Sequence, residues 1–96
     1  MNNLSTIQKK LLSIKPFLAT KYHVSELGLF GSLVRDDFSP VSDIDIIVDF
    51  SRPVGIEFID LADELERQLD RKVDLVSRKG IKPKYFDAIQ PEIIYV

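Results

Sequence analysis

Apolar and polar positions alternate along this chain in two periods, and the switches between them mark out its elements. From Ser5, a residue type that caps helices, Ile7, Leu11, Ile14 and Leu18 recur at helical spacing. Pro16 interrupts that pattern, so a kink is expected there, or a second short helix starting at Ser13. Glu26 to Phe30 reads as a short strand. Gly31-Ser32 breaks it and opens a short helix that carries Arg35. Asp36 to Ser42, with Pro40 and two serines, reads as a loop. Asp43 to Phe50, rich in Ile and Val, is the strongest strand signal. After the loop Ser51 to Gly55, an amphipathic helix is expected from Phe58, Leu61, Ala62, Leu65 and Leu69, with acids concentrated on its other face. A third strand, Lys72 to Ser77, follows. The stretch 43–77 is then a strand–helix–strand unit, long enough to cross over to a parallel neighbour. A turn at Lys79-Gly80, a helical piece near Pro83 to Ile89 and an apolar end, Ile93 to Val96, complete the pattern.

Composition narrows the class. With 96 residues, 45% hydrophobic and 29% charged, the chain reads as one globular domain spanning 1–96 with a modest core. A net charge of −2 argues against a strongly basic nucleic-acid face, and direct nucleic-acid binding is not expected. The absence of cysteine excludes disulfides, zinc-thiolate sites and a cysteine nucleophile. Met1-Asn2-Asn3-Leu4-Ser5 has no basic region ahead of an apolar core, and no apolar run approaches membrane-spanning length. A cytoplasmic location is the expectation.

Three acids do not suit the strands they occupy. Asp43 and Asp45 head an otherwise apolar run, and Asp74 lies inside Val73-Asp74-Leu75-Val76. Burying an uncompensated carboxylate is costly, so such positions need a reason. On a strand, residues two apart share a face at a spacing of roughly 6–7 Å, close enough for two carboxylates to share a hard cation. If the Asp74 strand lies alongside, three carboxylates are available to hold two magnesium ions. Two such ions, about 3.5–4 Å apart, stabilise the attacking and leaving oxygens of an in-line phosphoryl displacement. Asp43 and Asp45 are placed to bridge the metals, and Asp74 to bind one and take the nucleophile's proton. The plainer reading has each acid ending a strand or pairing with a nearby Lys or Arg. Gly31-Ser32 permits close backbone approach to a phosphate, with the Ser32 hydroxyl as a further donor, although such a pair also serves as a simple turn. Arg35 is open to three roles: reaching a phosphate, bracing an active-site carboxylate, or pairing on the surface with Asp36 or Asp37.

Taken together, Gly31-Ser32-Leu33-Val34-Arg35, Ser42-Asp43-Ile44-Asp45 and Asp74 resemble the DNA polymerase beta-like nucleotidyltransferase superfamily, and most closely its minimal nucleotidyltransferase (MNT) branch. The resemblance extends over almost the whole chain, from Tyr22–Phe30 through Arg71–Val76 to Ile93–Val96. It implies an α/β (α+β) nucleotidyltransferase fold, a small mixed β-sheet flanked by helices. It also implies Mg²⁺ and transfer of a nucleotidyl group from a nucleoside triphosphate with release of pyrophosphate. Residue by residue, it places the triphosphate at Gly31 and Ser32, the metals at Asp43 and Asp45, and the third acid at Asp74. Many relatives carry Gly after the arginine where this chain has Asp36, a position expected outside the metal site.

The acceptor rests on the resemblance alone. Larger relatives add a domain that grips DNA, RNA or an antibiotic, whereas this sequence resembles stand-alone MNT antitoxins paired with HEPN-domain toxins. Some of those transfer AMP from ATP to tyrosines of the toxin. A homo- or hetero-oligomer is compatible with this. Two alternatives stand beside it: a non-catalytic antitoxin acting by contact, and a nucleotidyltransferase acting on small molecules. The basic run Arg78-Lys79-Gly80-Ile81-Lys82-Pro83-Lys84 either steers ATP or a partner, or is a solvated loop. His23, the only histidine, is assigned no catalytic role, and Phe86, Ile93, Ile94 and Tyr95 are expected to close the core rather than bind a base, with an exposed subset forming a partner patch as the alternative.

Overall fold

The computed structural model describes residues 3–39 and 41–96; the loop assignment of Pro40 and the N-terminal Met1-Asn2 lie outside the described residues. Helix α1 runs Asn3–Tyr22, strand β1 Val24–Phe30, the short helix α2 Ser32–Arg35 and strand β2 Ile44–Phe50. Helix α3 (Glu57–Leu69) leads to strand β3 (Val73–Ser77); helix α4 (Pro83–Ile89), a 3₁₀ turn over Gln90–Glu92 and the two-residue strand β4 (Ile94–Tyr95) follow. The strands form one mixed sheet in the order β3-β2-β1-β4. β1 is antiparallel to both β2 and β4, while β2 and β3 run parallel, as the crossover through α3 requires.

Alternation on the strands separates two cores. Leu27 and Leu29 of β1, and Ile44, Ile46 and Val48 of β2, pack with Leu11 and Leu18 of α1 and Leu61 and Leu65 of α3. On the opposite face, Phe30 and Ile47 pack with Phe86 and Ile89 of α4. Each fully buried aliphatic side chain contributes about 1.5–3 kcal/mol relative to exposure, so the first face dominates stability.

Three expectations need correction. α1 passes through Pro16 as one helix and begins ahead of Ser5. Pro16 lies on the exposed side, where water can take the carbonyl left without its usual donor. The acids of α3 do not all face solvent either. Glu64 is 3% exposed, accepts the Tyr22 hydroxyl at 3.1 Å and Gln68 Nε2 at 2.9 Å, and pairs with Arg67. Those partners hold its carboxyl below the usual range despite burial, with the Gln68 hydrogen bond foremost. Finally, Tyr95 is 51% exposed and does not close the core, because it stands on the outward side of an edge strand.

Candidate active site

The parallel register of β2 and β3 brings the unusual acids together. Ile44 donates its N–H to the Lys72 carbonyl (2.9 Å), and from there Asp45 falls directly opposite Asp74. Both project to the α4 side of the sheet, since Ile44 and Ile46 beside Asp45, and Val73 and Leu75 beside Asp74, all point into the other core. Asp43 stands one residue ahead of β2, exposed, in the chain leading into the strand rather than within its paired part. The expected strand therefore starts one residue later than Asp43.

Crowding of like charge is visible in the protonation of Asp45. Partial burial, then the Asp74 and Asp43 carboxylates, push its carboxyl up from 3.8 to about 6, with Asp74 also in hydrogen-bonding contact and Arg35 opposing. Among the described residues, no three acidic or histidine side chains close into a cage on their own. The donors are nevertheless all hard oxygens, two of them face to face. That set suits Mg²⁺, which is held through one or two carboxylates and completes its shell with water and substrate phosphates.

Gly31 packs against the same carboxylates. β1 ends at Phe30, the residue paired with Asp45, and the chain then turns at Gly31 with φ 78 and ψ −151. A Cβ at Gly31 would lie 2.0 Å from Asp45 Oδ2. Both the positive φ and the closeness of that carboxylate demand glycine here. Ser32, half-buried, opens the four-residue α2, whose first turn is closed by the Gly31 carbonyl accepting from Val34 (3.1 Å) and Arg35 (3.0 Å). The expected short helix carrying Arg35 is present.

A further side chain joins this corner. Glu92, in the 3₁₀ turn, accepts the Gly31 N–H at 2.5 Å and receives Arg35 Nη1 at 3.2 Å. Arg35 therefore braces a carboxylate, though one outside the triad, and its contact with Asp37 is looser at 3.9 Å. Nothing in the sequence singles out Glu92. It lies sixty-one residues from Gly31 in the chain, in a segment without apolar period, and only β4 pairing with β1 brings it there.

Other candidates lie elsewhere. The basic run 78–84 is largely exposed, with the Arg78 guanidinium 3.6 Å from the Phe86 ring centroid. His23 sits at the opposite end of the sheet, 2.5 Å from Arg52 Nη2. A groove of about 380 Å³ near that end is lined by Phe50, Pro53, Val54, Phe58 and Ser77 and contains none of the three acids. Asp43 and Asp74 instead lie exposed at the surface, with Asp45 half-buried between them.

Comparison with known proteins identifies the family. Residues 11–96 match the family model of the nucleotidyltransferase domain. A Thermococcus cleftensis protein named protein adenylyltransferase MntA is 37% identical over 97 residues, covering all of this chain and 98% of the relative. A candidate protein adenylyltransferase of Methanocaldococcus jannaschii is 39% identical over 100 residues, with both chains fully covered. Among solved structures, a candidate minimal nucleotidyltransferase superposes with TM-score 0.81 at 26% identity, covering 95% of this chain and 93% of its own. An MNT antitoxin bound to a tri-AMPylated HEPN toxin of Shewanella oneidensis superposes with TM-score 0.62 at 26% identity, covering 99% and 71%. The fold is that of a nucleotidyltransferase. The chain belongs to the nucleotidyltransferase domain family and, within it, to the minimal nucleotidyltransferases. No described helix is long and apolar enough to cross a membrane.

Proposed function

We propose that the chain transfers AMP from ATP to a hydroxyl of a partner protein, a tyrosine of a HEPN-domain toxin, and thereby silences the toxin. The observation that carries this is the pairing of Asp45 with Asp74 across parallel strands, with Gly31 packed on Asp45. Kinship with a protein adenylyltransferase and with an antitoxin seen beside an AMPylated toxin supports the choice of acceptor. In this reading Asp43, Asp45 and Asp74 hold two Mg²⁺ ions, which when bound supply charge neutralisation for the triphosphate and the pentavalent phosphorus. Gly31 and Ser32 admit and fix the triphosphate. This depends on close backbone approach and the Ser32 hydroxyl, since four-residue α2 offers little dipole. Asp74 takes the proton of the acceptor hydroxyl, whose oxygen attacks the α-phosphorus; the bond to the α,β-bridging oxygen breaks and pyrophosphate leaves. The open setting of the acids lets a partner's side chain reach them.

The test is incubation with α-labelled ATP and a HEPN-domain toxin. Label is expected on a toxin tyrosine, absent after chelation of divalent cations and absent with Asp45→Asn. Neutralisation by Asp45→Asn without labelling would establish the contact-only antitoxin. Labelling of small molecules but no protein would reassign the acceptor.

A further inference from the structure

We infer that Arg71 is a positioning residue for the acid triad, setting where Asp43 stands relative to Asp74. Sheet pairing fixes Asp45 and Asp74, but Asp43 precedes the first paired residue of β2. The chain ahead of it is held by Arg71. Arg71 Nη2 donates to the carbonyls of Ser39 and Ser42, each at 3.1 Å, and the guanidinium lies 4.6 Å from the centroid of the Phe38 ring. The Ser42 carbonyl belongs to the peptide that joins Asp43, so fixing it orients that residue's backbone. The gripped segment is itself tied together. The Ser39 carbonyl accepts the Ser42 N–H (3.0 Å), the Ser42 hydroxyl accepts the Ser39 N–H (3.1 Å), and the two hydroxyls bond at 3.1 Å.

The other end of the lever is equally constrained. Arg71 directly precedes Lys72, whose carbonyl starts the β2–β3 pairing, and stands three residues before Asp74. One side chain therefore joins the chain running into Asp43 to the chain running into Asp74. A lysine would keep the charge, but a single ammonium cannot stack on Phe38 while forking to two carbonyls. Groups that orient the ligands of a metal typically alter its affinity about 10–100-fold when removed.

This inference rests on the divalent-cation reading of the triad, and the test separates the two. Mn²⁺ binding is measured from the spin-resonance signal of free Mn²⁺, with a non-hydrolysable ATP analogue present, for wild type, Arg71→Lys and Arg71→Met. Thermal midpoints are recorded in metal-free buffer. Mn²⁺ affinity is expected to fall about 10-fold or more in both variants, while Arg71→Lys still melts cooperatively. If wild type binds Mn²⁺ and Arg71→Lys binds it equally well, Arg71 only stabilises the loop and the inference is overturned, whatever happens to the midpoint. Should Arg71→Met not fold, Arg71→Lys decides alone. If wild type binds no Mn²⁺, the cation reading fails first.

Discussion

The two faces of β2 put neighbouring residues of one strand to opposite uses. Ile44, Ile46 and Val48 are all but inaccessible to solvent and lock the sheet to α1 and α3. Asp45, between the first two, faces Asp74 with Asp43 nearby, and its carboxyl is raised first by partial burial and then by those two like charges. The dry face supplies stability, and the acidic face spends part of it to hold carboxylates close together. Strain concentrated at a working site and offset elsewhere is the general pattern for enzymes.

A substitution on the acidic side should lower activity and raise stability, whereas one on the dry side should lower stability alone. Asp45→Asn removes the central carboxylate and is expected to cut AMP transfer by at least on the order of 10²–10³-fold. The same change relieves repulsion, so the metal-free protein should melt at a higher temperature than wild type. An Asp45→Asn protein that melts lower would show that the acids are not mutually unfavourable. Ile46→Ala, one residue along and pointing the other way, should cost about 2–5 kcal/mol of unfolding free energy in urea titration. That is a large share of the roughly 5–15 kcal/mol typical of a small domain. Activity per folded molecule should change little. A loss of activity there matching that of Asp45→Asn would mean that the two faces are not separable.

The acidic face was more legible in the sequence than the details of the dry one. Asp43, Asp45 and Asp74 stood out because carboxylates inside runs of Ile and Val contradict the burial those runs imply, and the strand–helix–strand spacing correctly foretold a parallel pair. Glu64 was hidden for the complementary reason. An acid on an amphipathic helix reads as solvent-facing, and only the fold brings Tyr22 and Gln68 to satisfy it. The contacts of Glu92 and Arg71 were equally unreadable, since they run to Gly31 and to the carbonyls of Ser39 and Ser42, distant in sequence. Pro16 shows a local signal outweighed: the buried stripe of Ile7, Leu11 and Leu18 keeps α1 one helix where a second was expected to start at Ser13.

The smallest expected effect is the dependence of stability on pH, and it sharpens the comparison without altering any contact. Asp45 binds its proton more tightly folded, at about 6, than unfolded, near 3.8. Its contribution is therefore fully present below pH 3.8 and is lost as pH rises through about 6. Two units would convert to about 3 kcal/mol for a dry site; solvent screening at this half-exposed position reduces that to about 1 kcal/mol. Glu64 on the buried side has the opposite sign, because its lowered carboxyl contributes stability that is lost as pH falls. Metal-free protein should accordingly be most stable near about pH 4, where the Glu64 limb ends and the Asp45 limb begins. Melting curves from about pH 3 to about pH 8 should show the upper limb vanish in Asp45→Asn and the lower limb persist. Saturating Mg²⁺ should flatten the upper limb in wild type, since a bound cation favours the deprotonated carboxylate that repulsion otherwise penalises. An upper limb that survives in Asp45→Asn would place the destabilising charge elsewhere than between β2 and β3.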